Sequence, residues 1–428
     1  MPAVSEDGLL ELLVDRPVAG GRMLARHDGK VVFVAGAIPG ERVRVRIERV
    51  QRQASWATAV EILDPSPDRR EVPFDPVCGG LSYAHIRYER QQQLKSEIVA
   101  DAFRRLGKLT LDEPPHVAPS PETGYRLRAR LHIRGRRAGL FREGTHDLCD
   151  AAPARQLLAE TTSAVDRMLG PLDSRLAECD AVVIGENVRA AERVLHLEPR
   201  DGARLDDLAG RVPLVDGVTG LTTTFGGRHV TLAGSPTVTD TAADLFHGDA
   251  PISDQTAWTR RASSFFQGNR HLTGALVRCV LDVTPGERIV DLYAGVGLFS
   301  VALAARGSEV AAVEGDRSAG ADLAVNAGPW RDRLHVMHAP VERAVHQRPD
   351  PVPDAVILDP PRTGVSADAV HGLIRWNAAR LVYVSCDPPT LARDAARFTA
   401  AGYQLISVDA FDLFPNTPHV ETVAVFEK

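Results

Sequence analysis

From about residue 270 onward, short apolar runs alternate with segments of helical periodicity, and this alternation constrains the fold more than any other feature of the 428-residue chain. Strand-like runs occur in "RIVDLYAG", "EVAAVEGD", "DAVILDPPR" and "RLVYVSCDP", and the helical "GLFSVALAARG" lies between the first two. Such alternation predicts a mostly parallel, doubly wound α/β sheet. Ligands of such sheets bind beyond the carboxyl ends of the strands. The residues at these strand ends are therefore the candidates for a functional site.

The N-terminal part of the chain has the pattern of a small β-barrel. One strand-like stretch alternates three apolar residues with three basic ones: Val43, Val45 and Ile47 with Arg42, Arg44 and Arg46. Period-two alternation places the apolar set on one face of the strand and the guanidinium groups on the other. The proline-rich "DPSPDRREVPFDP" then reads as a linker. We predict a β-barrel over residues 1–64 whose basic outer face binds RNA phosphates.

The middle of the chain, residues 65–250, is predicted as an α+β domain. In "YERQQQLKSEIVADAFRRLGKL", Leu94, Ile98, Phe103 and Leu106 recur at roughly helical spacing, and Gly107 is suited to end the helix. A second basic strand follows, with its arginines at alternate positions: Arg126, Arg128 and Arg130. Exposed strands often carry arginine for solubility alone, so each ladder by itself is weak support for RNA binding. Residues 251–428 form the predicted α/β domain.

Composition limits the classes of protein to which the chain can belong. The five cysteines, Cys78, Cys149, Cys179, Cys279 and Cys386, are few and widely spaced, which favours reduced thiols in the cytoplasm over a disulfide framework. The longest apolar runs are far shorter than a membrane span, so no membrane association is expected. The acidic N-terminal stretch "MPAVSEDGLLELLVDRP" lacks the features of a signal peptide. The net charge of −6 conceals a basic stretch between residues 125 and 142.

A glycine turn follows the first strand of the C-terminal domain. Gly295 and Gly297 in "DLYAGVGLFS" let backbone approach a ligand at the start of a helix. About twenty residues later the next strand ends in Glu314, which is suited to accept both hydroxyls of a ribose. Together with Asp291 this favours S-adenosylmethionine, whose adenosine needs a hydroxyl acceptor but no pyrophosphate site. The alternative is a tight turn followed by a solvated acid.

Cys386 stands at the end of a later strand, on the rim predicted to carry Asp359. A thiolate there could add to carbon 6 of a pyrimidine and make carbon 5 nucleophilic toward a methyl sulfonium. A base must then remove the carbon 5 proton. Glu421, at the start of the last strand, is the best-placed candidate. The alternative for Cys386 is ordinary packing of a small apolar side chain.

Five ordered segments, "FFQGN", "DLYAGVGLFS", "ILDPPRTG", "SCDPPTLARD" and "FPNTPHVETV", resemble the RNA uracil-5 methyltransferase family. "DGKVVFVAGAIPGERV" resembles the TRAM module, an RNA-binding barrel that begins many members. The resemblance implies Cys386 as the nucleophile and Glu421 as the proton acceptor. It also implies that S-adenosylmethionine and the target base lie among Gln267, Tyr293, Gly295, Gly297, Glu314 and Asp359.

The chain departs from the family pattern at several positions. Members with a TRAM module often hold an iron–sulfur cluster on four cysteines, but here only Cys78 and Cys149 occupy ligand positions, and Val72 and Leu81 replace the other two. Two thiolates cannot hold a four-iron cluster. We therefore expect no cluster, with Cys78 and Cys149 close in space and the two apolar residues filling the site. A zinc site using His85 or His146 is an alternative without recognisable ligand spacing.

Two further departures concern the predicted active site. Asp387 follows the nucleophile where the family often has Asn, and a carboxylate facing the sulfur would raise the thiol pKa. Leu298 follows the glycine turn where many members have Asn, which removes one hydrogen-bonding group from the cofactor site.

Taken together, the sequence predicts a cytoplasmic, monomeric enzyme that methylates carbon 5 of a uridine in structured RNA. Ribosomal RNA, here 23S rRNA, is favoured over transfer RNA by analogy, because the TRAM-bearing branch of the family is rich in ribosomal enzymes. The target base has to be unstacked or single-stranded to reach Cys386. One alternative is methylation of cytosine at carbon 5, which uses the same nucleophile. The other is an RNA-binding or chaperone protein with a degenerate pocket.

Overall fold

A computed structural model describes residues 9–75 and 77–428. Residues 1–8, which begin both the predicted barrel and the acidic N-terminal stretch, lie outside the described residues. Five strands close into a barrel in the order β1-β2-β3-β5-β4: β1 (Leu10–Pro17), β2 (Met23–His27), β3 (Lys30–Ala35), β4 (Arg42–Val50) and β5 (Ala54–Asp64). On β4 the alternation is confirmed, because Val43 and Val45 are fully buried while Arg42 and Arg46 are exposed.

A long helix, α1 (Tyr88–Ala102), follows the linker and continues into a π-helical turn over Phe103–Gly107. Leu94, Ile98 and Phe103 are buried as the helical spacing predicts, but Leu106 is 49% exposed. The π turn inserts an extra residue per turn, which rotates Leu106 away from the apolar face. The chain then leaves through Lys108 in a left-handed conformation and forms the short strand β6 (Val117–Ala118).

The middle unit is a seven-stranded sheet with one long helix packed on it. The strand order is β13-β12-β11-β10-β7-β8-β9, and the helix α2 contributes Ala164, Val165 and Met168 to the core between helix and sheet. Its elements are β7 (Arg128–Arg134), β8 (Arg137–Phe141), β9 (Leu148–Cys149), α2 (Ala159–Leu172), β10 (Cys179–Glu186), β11 (Arg193–Pro199), β12 (Gly220–Phe225) and β13 (Arg228–Gly234). A two-stranded sheet then leads out of this unit: β14 (Thr237–Thr241), the helical turn α3 (Ala242–Leu245) and β15 (Ala257–Arg261).

The C-terminal unit is the doubly wound α/β sheet that the alternation predicts. Its elements are α4 (Thr273–Val283), β16 (Arg288–Leu292), α5 (Leu298–Arg306), β17 (Glu309–Glu314), α6 (Arg317–Asn326), β18 (Leu334–His338), α7 (Val341–Ala344), β19 (Ala355–Leu358), α8 (Ala367–Trp376), β20 (Arg380–Ser385), α9 (Pro388–Ala400), β21 (Gln404–Phe411) and β22 (Glu421–Glu427). The strand order is β18-β17-β16-β19-β20-β22-β21-β6, and only β22 runs antiparallel to its neighbours. Among the described residues, no helix combines the length and the apolar character needed to cross a bilayer.

The barrel ends with β5 at Asp64, where its predicted range ends, but residues 65–250 do not form a single unit. Within the predicted middle domain, β6 extends the edge of the C-terminal sheet by pairing in parallel with β21. Val99 and Phe103 of α1 belong to the same hydrophobic core as β19 and β20. The reason is burial, since the apolar face of α1 covers the C-terminal sheet and not the middle one. Trp258, inside the C-terminal range, also joins β15 to the core around α4 and α5.

The predicted remnant of a metal site contains a disulfide bond between Cys78 and Cys149, with Cα atoms 5.8 Å apart. The expectation that these two cysteines lie close together is confirmed, whereas the expectation of reduced thiols is wrong for this pair. Leu81 is buried against both cysteines and Val72 packs against the same cluster. The two apolar residues thus fill the space that a third and fourth ligand would need.

Candidate active site

Five polar side chains follow one another along the rim of the C-terminal sheet. Glu314 ends β17, and Tyr293, Asp359 and Cys386 come directly after β16, β19 and β20, which are neighbouring parallel strands. Glu421 reaches the same rim from the other direction, because β22 is antiparallel and begins there. The strand order therefore places Cys386 on the same rim as Asp359, as predicted, and brings Glu314, Tyr293 and Glu421 to that rim as well.

Cys386 and Glu421 are neighbours across two adjacent strands. Ser385 of β20 pairs with Thr422 of β22, and the Thr422 hydroxyl donates to the Ser385 carbonyl oxygen at 2.9 Å. One step further along this register lies Cys386 on one side and Glu421 on the other. Opposite residues of an antiparallel pair lie about 5 Å apart. The geometry brings a thiol and a carboxyl group within reach of a single ring.

The glycine turn after β16 has the backbone conformation that its residues predict. Tyr293, Gly295 and Gly297 have φ values of +63°, +58° and +90°, in the left-handed region that favours glycine. Tyr293 is the one residue of the three that is not glycine, so the surrounding structure must hold its left-handed conformation in place. Beyond Gly295 there is open space, with no atom within 4 Å of where a Cβ would stand. Leu298 begins α5 and is buried in the core.

Glu314 holds the turn from the neighbouring strand. Its Oε2 accepts the backbone N–H of Gly295 at 2.7 Å, and its Oε1 accepts that of Asp316 at 2.6 Å. A carboxylate oxygen has two lone pairs, so both oxygens can still accept a hydroxyl. The pair of acceptors that the sequence predicts for a ribose is present and rigidly oriented.

Asp291 lies beneath the turn and is fully buried. Burial and the nearby Glu314 raise its pKa to about 7, while the Ser300 hydroxyl, which donates to its Oδ2, acts in the opposite direction. Its Oδ1 has no hydrogen-bond partner. A buried acceptor without a donor, beside an open glycine turn, fits the positively charged amino end of an amino-acid-bearing ligand.

The segment "FFQGN" brings residues from outside the sheet to the same rim. The amide of Gln267 donates to Asp359 Oδ2 at 3.4 Å. Asn269 holds the segment in place, since its Nδ2 donates to the Leu413 carbonyl oxygen at 3.0 Å and its Oδ1 accepts the N–H of Leu272. Phe266 is buried under the guanidinium of Arg260, 3.8 Å from the ring centre. Phe265 is 61% exposed, which leaves an aromatic face open next to Gln267.

The carboxyl group of Asp359 is close to half-ionised at neutral pH. Burial raises its pKa to about 7, and the nearby Asp291 and Glu314 add to the shift, while the amide of Gln267 lowers it. Asp291 and Asp359 thus hold protons that free carboxyl groups would lose, because both are buried next to other acids.

The thiol of Cys386 is held in its protonated form. Burial raises its pKa to about 11, Glu421 and Asp359 add to the shift, and the guanidinium of Arg362 lowers it. Burial, followed by the charge of Asp359, also raises the pKa of Glu421 well above its usual value, and Arg362 again acts in the opposite direction. Arg362 is therefore the cation that both groups face.

His419 lies on the other side of Arg362 and is neutral. Burial, together with the cations Arg362 and Lys95, lowers its pKa to about 4. A guanidinium nitrogen of Arg362 lies 3.4 Å from its Nε2. His419 can therefore accept a hydrogen bond from Arg362. Because it is neutral, it does not compete with the Glu421 carboxylate for the charge of Arg362.

The loop that carries Glu421 is tied to α1. Lys95 and Asp412 form a completely buried ion pair at 2.5 Å, and the Lys95 ammonium also donates to the Phe414 carbonyl oxygen at 3.1 Å. Gln91, one turn earlier, donates to Asn416 Oδ1 at 3.0 Å and accepts the Asn416 N–H at 2.9 Å. Helix α1 therefore positions the loop over the rim.

Sequence reasoning missed three residues that shape this site. Arg362 is not among the predicted site residues, although its position three residues after Asp359 is a signal. Lys95 was hidden on the buried face of α1, where a lysine is itself unusual. Trp258, whose Nε1 donates to the Gly297 carbonyl oxygen at 3.2 Å, belongs to the segment before "FFQGN" and gave no signal.

The two arginine ladders are less free than the sequence suggests. Arg42 pairs with Asp64 at 2.9 Å, and Arg44 pairs with Glu61 at 2.7 Å. Arg126 donates to Gln156 at 2.5 Å, and Arg128 donates to backbone oxygens of residues 262 and 263. Arg130 is exposed and pairs with Glu198 at 2.7 Å. Arg128 thus holds β7 against the segment that leads into "FFQGN".

The described part of the chain contains no group of three or more His, Cys, Asp or Glu side chains arranged to hold a metal ion. His85 is buried, with its Nε2 3.4 Å from the Ala37 carbonyl oxygen, and burial lowers its pKa to about 4. His146 stands against the edge of Phe141, away from His85's environment in the linker. The two histidines of the zinc alternative therefore have separate partners.

Comparison with solved structures assigns the class of the fold. The tRNA (uracil-54, C5)-methyltransferase of Pyrococcus abyssi, solved in complex with S-adenosyl-L-homocysteine, superposes with a TM-score of 0.73 at 24% identity, over 97% of this chain and 99% of that one. The chain thus has the fold of a multidomain methyltransferase with an N-terminal barrel. Residues 9–60 match the TRAM domain, and residues 352–428 match the family described as tRNA (Uracil-5-)-methyltransferase.

Relatives of similar length identify the family. The 23S rRNA (uracil(1939)-C(5))-methyltransferase RlmD of Methylococcus capsulatus is 34% identical over 435 residues, which cover 95% of this chain and 94% of the relative. An uncharacterized RNA methyltransferase of Streptomyces avermitilis is 32% identical over 449 residues, with 96% of each chain covered. The chain belongs to the RNA uracil-5 methyltransferase family.

Proposed function

We propose that this protein methylates carbon 5 of a uridine in 23S ribosomal RNA, with S-adenosylmethionine as the methyl donor. The observation that carries the proposal is that Cys386 and Glu421 lie one step beyond the paired residues Ser385 and Thr422 of β20 and β22, on the same rim of the sheet as the glycine turn that follows β16. The choice of ribosomal RNA rests on the relatives named as RlmD, which span nearly the whole chain.

In this mechanism Cys386 supplies the nucleophile. Its thiolate adds to carbon 6 of the uracil, and the electrons of the 5,6 double bond make carbon 5 nucleophilic. S-adenosylmethionine, when bound, supplies an electrophilic methyl group on a sulfonium. Once carbon 5 carries the methyl group, Glu421 removes the proton from that carbon, the double bond re-forms and the Cys386 thiolate leaves.

The charges around the thiol suit this sequence of steps. With a pKa of about 11, Cys386 is mainly a thiol at neutral pH and is protected from unwanted reactions. Arg362 lowers that pKa, so it stabilises the thiolate when the thiolate forms. The raised pKa of Glu421 makes its carboxylate a stronger base than a free one. The closeness of these acidic groups suppresses the ionisation of Cys386 and Glu421 in the resting protein. It also prepares both groups for proton transfer.

The donor is proposed to lie between the glycine turn and Gln267. Glu314 would accept the ribose hydroxyls, and the unpartnered Oδ1 of Asp291 would face the amino end of the ligand. Tyr293 would line the adenosine side of the turn. Asp359 and the amide of Gln267 would orient the edge of the uracil ring, since a carboxyl group and an amide offer both acceptor and donor.

RNA is proposed to approach across the barrel and the middle sheet. Arg46 is exposed on β4 and Arg130 on β7, and both are suited to contact phosphates, which position RNA without reading its sequence. For Arg42, Arg44, Arg126 and Arg128, such contact would have to compete with the partners described above. We also propose that the protein acts as a monomer in the cytoplasm, where ribosomal RNA is found.

Covalent trapping tests the chemistry. A 23S rRNA fragment containing 5-fluorouridine should form a stable adduct, because the fluorine on carbon 5 cannot be removed as a proton. Mass spectrometry should map the adduct to Cys386, and the Cys386→Ala variant should give none. With ordinary RNA and labelled donor, the label should appear in 5-methyluridine after digestion.

The other possible results of these experiments would each support an alternative function or contradict the mechanism. Label in 5-methylcytidine would indicate the cytosine enzyme. Tight RNA binding without adduct or label would indicate a binding protein with a degenerate pocket. A fully active Cys386→Ala variant would refute the mechanism. Loss of one 5-methyluridine from the 23S rRNA of cells lacking the protein would identify the nucleotide.

A further inference from the structure

A groove lies where the barrel meets α1 and the first turn of α9. It is lined on the barrel side by the turn between β1 and β2 and by Phe33 and Trp56, and on the other side by Asp101, Arg105 and Leu106. Pro389 of α9 closes one end. Its volume of about 450 Å³ lies within the range of small-molecule sites. We refer to this feature as the Trp56 groove.

The walls of the Trp56 groove combine aromatic rings with cations. Phe33 and Trp56 stand side by side on paired strands, with ring centres 5.5 Å apart. The guanidinium of Arg49 lies 5.1 Å from the centre of the Trp56 ring, and Arg22 and Arg105 line the groove. Asp101 also lines it, and Arg16, Arg104 and Arg105 pair with this acid at 2.7, 2.5 and 3.3 Å, so three cations face one anion. Arg22 pairs with Glu48 at 2.9 Å, and a phosphate would have to compete with that acid. The groove is therefore aromatic and cationic, which is the composition of sites that bind unpaired bases.

The apolar side of the groove is produced by the π-helical turn at the end of α1. Leu106 in that turn is 49% exposed, and Gly107 packs against Ala392 of α9, where a Cβ would lie 3.2 Å from the Ala392 oxygen. Interruptions of this kind occur frequently at functional sites. Leu106 is thus held next to Trp56, exposed and without an apolar cover.

Two segments connect the walls of the Trp56 groove to the loops that carry the candidate active site. Pro389 is three residues from Cys386, in the same turn. On the barrel side, Gly21 packs so closely against Pro418 that a Cβ on it would lie 2.9 Å from the Pro418 ring. Pro418 precedes His419 and Glu421 in the loop over the rim. The groove is therefore close enough along the chain to the target-base site to receive a nucleotide that flanks the target base.

We propose that the Trp56 groove binds an unpaired nucleotide flanking the target uridine, with its base stacked against Trp56 and its phosphate facing Arg22 and Arg105. The proposal rests on the proposed function, because it takes the target RNA as the occupant. Stacking against an aromatic ring accepts any base, so the groove would add affinity and hold the RNA in register without requiring one sequence. Trp56 is a positioning residue here and does not contact the reacting atoms.

The test compares Trp56→Ala with Trp56→Phe and with Phe225→Ala. Phe225 is a matched control, since it is a 40% exposed aromatic ring with Arg204 at 4.5 Å from its centre, on the middle sheet. Fluorescence anisotropy measures binding of a fluorescein-labelled oligouridylate and of the 23S rRNA fragment. Trp56→Ala should weaken binding of both by about 5- to 100-fold, while Trp56→Phe stays within about threefold of the unmodified protein. Phe225→Ala should bind as the unmodified protein does.

Turnover separates positioning from chemistry. At saturating RNA, Trp56→Ala should retain kcat within about twofold, while KM for the RNA rises in parallel with the loss of affinity. If Trp56→Ala fails to fold, Arg105→Glu tests the exposed side of the groove and should weaken binding by several-fold with a smaller salt dependence. Unchanged affinity in Trp56→Ala, or in Arg105→Glu where it is used, would overturn the proposal.

The failure of the groove and the failure of the proposed function are distinguishable. Methyl transfer to uridine with unchanged affinity in Trp56→Ala would reject the groove alone. Trp56-dependent binding of oligouridylate, without methyl transfer to any RNA, would support the groove as an RNA site and reject the proposed reaction.

Discussion

Asp387 accepts the backbone N–H of Thr390 at 2.9 Å, so the carboxylate that follows Cys386 is the N-cap of α9. The raised pKa of the thiol has other causes, chiefly burial and the acids Glu421 and Asp359. The chain breaks the strand at this point because Asp387, followed by two prolines, begins a helix. The same turn that ends β20 leaves Cys386 half-buried at the rim.

The cap predicts the behaviour of two variants at this position. Asn caps helices about as well as Asp, so Asp387→Asn should keep methyl transfer within about twofold and leave stability nearly unchanged. Asp387→Ala should lose about 1 kcal/mol of stability. Urea denaturation and initial rates on the 23S rRNA fragment measure both effects. A large gain in activity for Asp387→Asn would mean that the carboxylate does face the sulfur.

The pKa of Cys386 can be measured by alkylation. With a pKa of about 11, its thiolate fraction should rise about tenfold for each pH unit from 8 to 10, whereas an ordinary thiol with a pKa of about 8.5 levels off above pH 9. The rate of iodoacetamide labelling, followed at Cys386 by mass spectrometry, reports this fraction. A plateau near pH 9 would contradict the buried environment of the sulfur.

Two neighbouring variants should shift that labelling in opposite directions. Arg362→Gln removes a cation that stabilises the thiolate, so the Cys386 pKa should rise further and labelling should slow at each pH. Glu421→Gln removes an anion, so the pKa should fall and labelling should accelerate. Arg362→Lys keeps the charge and is the matched control. Shifts of the same sign in the two variants would exclude direct electrostatic control of the thiol.

Much of the fold and of the rim could be predicted from the sequence, and the features that could not be predicted have physical causes. Strands ending at Glu314, Asp359 and Cys386 could be read from local apolar runs followed by turn residues, because a parallel sheet aligns the ends of its strands. Trp258 could not be predicted, since its contact with Gly297 joins segments that are 39 residues apart and depends on how two units pack. The helix pattern also could not show that α1 would cover the C-terminal sheet.

Trp258 gives a prediction for ligand binding at the glycine turn. Trp258→Phe keeps an aromatic ring but loses the hydrogen bond to the Gly297 carbonyl oxygen, which is worth about 0.5–1.5 kcal/mol. Titration calorimetry with S-adenosylhomocysteine should therefore show about 2- to 12-fold weaker binding. Trp376→Phe is the matched control, because Trp376 is buried and its Nε1 has no partner. An equal loss of S-adenosylhomocysteine affinity in the two variants would show that the hydrogen bond to the glycine turn is not the cause.

The buried pair of Lys95 and Asp412 predicts how the loop over the rim is held. Lys95→Met leaves Asp412 as an uncompensated buried carboxylate and should cost about 3–5 kcal/mol. Exchange of amide hydrogens in residues 412–420 should accelerate first, because Lys95 also binds the Phe414 carbonyl oxygen. The double variant Lys95→Met, Asp412→Leu should recover part of the loss. Additive losses in the two single variants would show that the pair is not coupled.

The bond between Cys78 and Cys149 can be tested by counting thiols. Of the five cysteines, Cys179, Cys279 and Cys386 are free, so denatured protein should titrate three thiols without reductant and five after reduction. Because the bond closes a loop of 71 residues between the linker and β9, its loss in Cys78→Ser should cost about 2–5 kcal/mol. Five thiols before reduction would show that the two cysteines are reduced in solution. Iron and sulfide analysis of anaerobically purified protein completes the test, since stoichiometric iron would show that the site holds a cluster despite Val72 and Leu81.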